Sequence, residues 1–169
     1  DFVESAKRLL DPKAQNYRAD NFSGGSVVIH NAENYLKQGQ EGYPALEWEG
    51  NVGWFARSKY ELCFVLDHPL SGFYLKYNLP TPLVHIPTYD ACAKMDNGIY
   101  TNSYGTSVAT TKSYGPYKLT AFQADKQYTL TRNEEYYDLE DNTYQTTAIV
   151  VDFVKEASTR LQLFRQGKL

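Results

Sequence analysis

Two alternating segments in the C-terminal half constrain this chain more than any other feature. Tyr117–Phe122 and Gln127–Arg132 both read as strands, and only a short turn through Ala124-Asp125-Lys126 separates them. Successive side chains of a strand point to opposite faces, so Tyr117, Leu119 and Ala121 are expected to share one face, and Tyr128 and Leu130 a face of the next strand. Upstream, Val52–Ala56 and Lys59–Leu66 also read as strands. In the latter, Tyr60, Leu62 and Phe64 alternate with Glu61, Cys63 and Val65, which predicts that both faces are at least half covered. Downstream, Ala148–Val154 is a β-branched run of the kind found in buried strands.

Helical spacing appears between these strands. Asp1–Leu10 sets Phe2, Val3, Ala6, Leu9 and Leu10 along one face. Asp11-Pro12 ends it, because the residue before proline is pushed out of the α region. Ser26–Gln38 predicts a second helix, with Ser26 as N-cap, Gly39 just past its end, and Val28, Ala32, Tyr35 and Leu36 on its apolar face. Leu70–Tyr77 reads as a short helix closed by Leu79-Pro80-Thr81-Pro82. Glu156–Gln166 reads as a terminal helix with Ala157, Leu161 and Phe164 inward and Gly167 as its stop. His85 to Lys112 has little period although it holds Asn97-Gly98 and Tyr104-Gly105, and a long irregular run inside a domain is usually functional or a connection between lobes. The fold class expected is α+β.

Composition narrows the function. A chain of 169 residues suits one domain or two small lobes, and 17 Lys+Arg against 20 Asp+Glu leave no basic field for a nucleic-acid backbone. The apolar runs fall well short of the roughly 20 residues a membrane span needs. Cys63 and Cys92 are too few for a disulfide framework and read as reduced, packed thiols. The chain starts at Asp1 and its single Met is Met95, which reads as a trimmed N-terminus. His30, His68 and His85 lack metal-ligand spacing, and no nucleophile elbow, phosphate loop or dinucleotide fingerprint is present. Gly105-Thr106-Ser107 reads as a plain turn. Glu134, Glu135, Asp138, Glu140 and Asp141 read as a solvated loop, since no glycine-centred calcium loop surrounds them. Trp48 and Trp54 flank Glu49-Gly50-Asn51 and read as anchors of a small apolar layer, the other reading being an exposed stacking platform. No catalytic set, metal or cofactor site can be assembled, so the residues describe a binder rather than an enzyme.

Several segments, taken in order, resemble the extracellular solute-binding proteins of oligopeptide and dipeptide ABC transporters, solute-binding family 5. Asp1-Phe2-Val3-Glu4-Ser5-Ala6-Lys7-Arg8-Leu9-Leu10-Asp11-Pro12-Lys13 resembles the family's helix ending in an R-L-x-D-P-K type sequence. Ile29-His30-Asn31-Ala32-Glu33-Asn34-Tyr35-Leu36 resembles the helix that follows, and Tyr60–Leu66 with His68-Pro69 and Phe73 the next strand, proline and aromatic. Ser113-Tyr114-Gly115-Pro116-Tyr117-Lys118-Leu119, followed by Arg132-Asn133-Glu134-Glu135-Tyr136-Tyr137-Asp138, is the most specific match. Ala157–Gly167 resembles the family's A/R-L-x-x-F/Y-x-x-G segment. The likeness spans nearly the whole chain and is weak over Gly39–Gly53 and His85–Tyr104.

Family members are about three times longer than this chain, so the resemblance implies an internal fragment of lobe one with a partial periplasmic-binding-protein-like fold, a small mixed sheet flanked by helices. Residues 1–88 would belong to the accessory subdomain of that lobe and 89–169 to its main subdomain. The implied function is capture of oligopeptides outside the membrane, by hinge closure of two lobes, and delivery to the permease. The implied location is the cell surface, as a lipoprotein, or the periplasm. Glu4 stands where many family members carry an aromatic that can face the ligand. Tyr104, Ser113 and Tyr114 precede the main strand and are the other candidate ligand contacts. Gly115 is expected to supply an unusual backbone angle at the strand start, and Pro116 to begin the strand without a donor. A fragment of this kind is also expected to self-associate. The alternative left open is a freestanding carbohydrate-binding or adhesion module.

Overall fold

The computed structural model describes residues 1–25, 27–78, 83–140 and 144–169. The chain divides into two compact units, Asp1–Asn102 and Ser103–Leu169. The first holds α1 (Phe2–Leu9), α2 (Asp20–Ser23), α3 (Ala32–Lys37), β1 (Trp54–Ser58), β2 (Glu61–Phe64), α4 (Gly72–Asn78), α5 (Ile86–Cys92), β3 (Ala93–Asp96) and β4 (Ile99–Asn102). The second holds β5 (Tyr117–Gln123), β6 (Gln127–Arg132), β7 (Ala148–Asp152) and α6 (Ala157–Arg165). The α+β class holds. The expected single mixed sheet is instead three small ones, β1-β2, β3-β4 and β5-β6-β7, with antiparallel pairing throughout. The two- and three-residue turns that join β1 to β2, β3 to β4 and β5 to β6 are too short for a parallel crossover.

The first unit is built on a buried cluster. α1 contributes Ala6 and Leu9, with Leu10 just beyond it; Ala19, Phe22, Val27, Ile29, Ala32, Trp48, Val52 and Trp54 complete the cluster. Trp54 is wholly buried between the rings of Phe22 and Phe64, at centroid distances of 5.4 and 5.1 Å. Trp48 donates its indole N–H to the Trp54 carbonyl at 3.0 Å. Both tryptophans are therefore anchors, as expected, and neither offers an exposed stacking face. Burying side chains of this size is worth roughly 1.5–3 kcal/mol each before cavity terms.

The expected helix from Ser26 shrinks to Ala32–Lys37; Ser26 itself lies outside the described residues. The β-branched residues before it run extended instead. Ile29 bridges Leu66, the His30 N–H donates to the Val65 carbonyl at 2.9 Å, and the Asp67 N–H donates to the Val28 carbonyl at 3.0 Å. Asn31 then takes a left-handed conformation, φ 59°, from which the helix starts. Gly39, φ 85°, follows the end of α3 as expected. The short helix over Leu70–Tyr77 is α4, and its expected stop at Leu79–Pro82 lies outside the described residues.

One further sequence reading in this unit is corrected. His85–Asn102 is not irregular: His85 caps α5 by accepting the Thr88 N–H, and β3 and β4 form a hairpin. Its turn is Asn97-Gly98, with positive φ at both residues, 49° and 79°, as a two-residue primed turn requires. Strand β2 is half covered on both faces, as expected, with Leu62 and Phe64 on one and Cys63 on the other half-buried, while Tyr60 and Val65 just beyond its ends are exposed. Cys63 and Cys92 are free thiols.

In the second unit the β5–β6 hairpin forms as predicted, turning at Asp125 with φ 57°. A bulge at Thr120 shifts the register between Leu119 and Ala121. One extra residue on one strand breaks the alternation, so Ala121 is exposed while Tyr117 and Leu119 are half-buried. Strand β7 is an edge strand rather than a buried one, with Ile149 and Val150 exposed. Helix α6 ends at Gly167, φ 65°, as expected, but Ala157, Leu161 and Phe164 are exposed rather than inward. Both departures have one cause: no described residue of this unit covers those faces. Gly115 does not have a positive φ, and an added Cβ would meet only Ser113 Oγ, at 3.9 Å. The strand start therefore does not depend on glycine.

Candidate functional site

Glu4 lies on α1 and lines a cleft of ≈ 540 Å³ in the first unit. Val3, Trp48, Val52, Phe55 and Val65 give the cleft apolar surface, and Lys7, Glu49 and His30 give it a polar rim. A four-residue step along a helix brings side chains together. Here Arg8 Nη1 meets Glu4 Oε2 at 2.6 Å, and Lys7 Nζ meets Glu4 Oε1 at 3.0 Å. Lys7 also reaches Glu49 Oε1 at 2.6 Å, and Arg8 forks onto Asp90 of α5 through Nε at 2.9 Å and Nη2 at 2.7 Å.

The result is an alternating chain of charges, Glu49–Lys7–Glu4–Arg8–Asp90. Burial alone would raise the Glu4 carboxyl, but hydrogen bonds from Lys7 and Arg8 outweigh it and hold the group below its ordinary value. The Arg8 fork likewise holds Asp90 low, and the hydrogen bond from Lys7 holds Glu49 low. All three carboxylates are ionised at neutral pH. They face two cations, so the network carries a surplus negative charge. His30, which also lines the cleft, has its Nδ1 2.7 Å from Asp67 Oδ1. Glu4 is thus a braced carboxylate with its side chain 44% exposed, and not a freely solvated one.

The other three candidates lie in the second unit. Tyr114 is 44% exposed, and burial together with the nearby Tyr104 raises its phenol above the ordinary value. Tyr104 is half-buried and forms contacts of its own. The Ser113 hydroxyl donates to the Tyr117 carbonyl at 2.5 Å and accepts the Gly115 N–H at 3.3 Å, so it closes the turn into β5. One acceptor lone pair remains for a ligand. The fold therefore brings Tyr104, Ser113 and Tyr114 into one unit and sets Glu4 in the other.

The two strongest sequence segments are joined physically. The Asn133 N–H donates to the Pro116 carbonyl at 2.7 Å, and its side-chain amide donates to the Gly115 carbonyl at 3.3 Å. Arg132 Nη1 donates to the Tyr144 carbonyl at 3.0 Å, and the Tyr144 ring sits 5.7 Å from Tyr136 and 6.4 Å from Tyr117. Asn133 thereby clamps the carbonyls that open β5, which explains why the two segments occur together.

Lys7, Glu49, Phe55 and Asp90 were missed as members of the site. The three-and-four spacing of Glu4, Lys7 and Arg8 was legible; the arrival of Glu49, Phe55 and Asp90 beside them was not. Gly105, φ 79°, sits in a plain turn, with Thr106 Oγ1 donating to the Ser103 carbonyl. Among the described residues no group of three or more His, Cys, Asp or Glu is arranged to hold a metal ion; Asp141 of the acidic loop lies outside them. Among the same residues no helix is long and apolar enough to cross a membrane.

The sequence matches, over residues 1–169, the family described as bacterial extracellular solute-binding proteins, family 5 Middle. Among curated proteins no relative matches. Among solved structures, the fold is similar to the substrate-binding domain of an oligopeptide ABC transporter from Bacillus anthracis, at 25% identity and a TM-score of 0.73, covering 99% of this chain and 29% of that one. It is also similar to OppA of Burkholderia pseudomallei, at 18% identity and a TM-score of 0.75, covering 100% of this chain and 29% of that one. A third similar structure is Listeria monocytogenes OppA bound to peptide, at 22% identity and a TM-score of 0.71, covering 100% of this chain and 30% of that one. The chain spans about three-tenths of the length of these structures.

Proposed function

Because this chain belongs to the bacterial extracellular solute-binding proteins of family 5, we propose that it is part of the substrate-binding component of an ABC transporter that captures oligopeptides outside the membrane and delivers them to a permease. The observation that carries this reading is the match to one family over residues 1–169, together with likeness in fold to proteins described as oligopeptide binders. The chain acts by binding rather than by catalysis, and the complete receptor closes two lobes over its ligand. It works outside the cytoplasmic membrane, as a surface lipoprotein or in the periplasm. Residues 1–88 belong to the accessory subdomain of one lobe and 89–169 to its main subdomain. Glu4, Tyr104, Ser113 and Tyr114 are the proposed ligand contacts. Of these, Glu4 has the firmest support, because it is ionised, braced and set in the wall of a cleft.

The carbohydrate-module alternative drew on tyrosine content and on Trp48 and Trp54, and it loses the second support because both tryptophans are buried. The test is a titration of the complete reading frame with a pool of di- to hexapeptides, followed by tryptophan fluorescence. Saturable quenching or enhancement is expected. A flat response, with a sugar or metal-chelate pool giving saturation instead, overturns the peptide reading.

A further inference from the structure

The cleft beside Glu4 combines two features that seldom coincide on an isolated surface. Phe55 and Val65 line it, yet they remain 38% and 47% exposed, so apolar surface is left open to a guest. Glu49, Lys7 and Glu4 line the same cleft, two carboxylates around one lysine, and the chain continues away from it through Arg8 to Asp90, three carboxylates to two cations in all. Arg8 is committed to Asp90 and Glu4, which leaves Lys7 alone to serve Glu49 while also serving Glu4. Glu49 is the most accessible member, with its side chain 73% exposed at the rim. The volume of ≈ 540 Å³ falls in the range of small-ligand sites. An apolar wall ending in a surplus negative charge complements a guest with an apolar stem and a cationic head.

We propose that this cleft receives a lysine or arginine side chain of the captured peptide, its stem against Phe55 and Val65 and its charge at Glu49. The inference rests on the peptide reading above and names the side chain that this part of the site selects. Lys7 acts as a placeholder: it occupies the carboxylates when no guest is present and opposes the incoming charge. Removing its charge therefore strengthens capture of a cation, which no purely structural role for Lys7 would produce.

The test uses n-hexylamine and n-hexanol, which carry the same stem with and without a charge. Binding to the chain is followed by amide shifts in two-dimensional NMR. Hexylamine is expected to shift Lys7, Glu49, Phe55 and Val65 and to bind about fivefold more tightly than hexanol, a ratio in keeping with a solvent-exposed ion pair. Glu49→Gln should abolish that preference, 0.5 M NaCl should reduce it, and Lys7→Met should enlarge it. Equal binding of the two probes, shifts confined to other residues, or a Lys7→Met variant with weaker amine binding each overturn the proposal. The peptide-pool titration separates the two readings. Peptide binding by the complete protein without an amine preference here overturns this inference alone; absence of both overturns the peptide reading with it.

Discussion

The two halves of the chain hold themselves together differently. Residues 1–102 enclose a core in which Leu10, Val27, Ile29 and Trp54 are almost wholly removed from solvent. In residues 103–169 no described side chain is fully buried, and apolar residues of β7, of the segment just after it and of α6 stand open: Val150 at 55%, Phe153 at 53% and Phe164 at 69% exposure. Both halves contain segments with an apolar face, such as Phe2–Leu10 in the first and Tyr117–Phe122 in the second. The difference is whether a second layer closes over it, since a sheet or helix buries its apolar face only against another element. The first half meets that condition with α1, α2, α3 and the β1–β2 hairpin. The second offers one sheet and one helix whose apolar sides await cover.

The largest expected effect tests the core of the first half. Trp54→Ala should cost about 3–5 kcal/mol in urea unfolding followed by circular dichroism, because the indole is wholly buried between two rings. A loss below about 1 kcal/mol would mean that the first half has no cooperative core of this kind. Glycine gives a sharper contrast. A Cβ on Gly53 would lie 2.5 Å from the Val65 carbonyl oxygen, whereas one on Gly115 would meet nothing closer than 3.9 Å. Gly53→Val should therefore cost about 1–3 kcal/mol, and Gly115→Val should leave the melting temperature close to wild type. Similar losses for both would restore the special role first expected of Gly115.

The next effect is electrostatic. Glu4 and Asp90 sit below their ordinary values of 4.5 and 3.8 in the folded chain, so their stabilising contribution is fully present above about pH 4.5 and is lost as pH falls through the folded values. Arg8→Ala should lower stability near pH 7 by about 1 kcal/mol, given that the partners are partly exposed. The difference from wild type should shrink below pH 4. A difference that persists unchanged at pH 3 would assign the loss to packing of the arginine stem rather than to charge.

The smallest effect lies in the second half. Phe164→Ser should change stability by less than about 0.5 kcal/mol, since the ring is largely exposed. The same face should matter more for association. Open apolar surface on an edge strand favours pairing between copies. Val150→Lys should lower the apparent mass in sedimentation at millimolar concentration, and a wild-type chain already monomeric there would remove the expected self-association.

Periodicity carried much of this structure. The helix over Phe2–Leu9, the β5–β6 hairpin, the positive-φ stops at Gly39 and Gly167 and the paired role of the tryptophans all follow from local spacing and turn chemistry. The β3–β4 hairpin was legible too, through Asn97-Gly98, but the polar run around it masked the signal. Glu4 was found because its position was unusual for the family it resembles. Its partners came from elsewhere in the chain, Glu49 from the loop before β1 and Asp90 from α5.

What the sequence determines by itself is local: where the chain turns, which face of each element is apolar, and which family its ordered segments resemble. Tertiary structure alone decided the rest. Val27–Ile29 run extended because the Asn21 and Phe22 carbonyls of α2 accept the Val27 and Ile29 N–H groups and the Val28 carbonyl accepts from Asp67; the apolar faces of β7 and α6 stay open because no described residue of their unit packs on them; and Glu4 becomes one link in a five-member charge chain. Each of these depends on a partner distant in sequence, and the periodicity of one segment holds no information about which distant segment will lie against it.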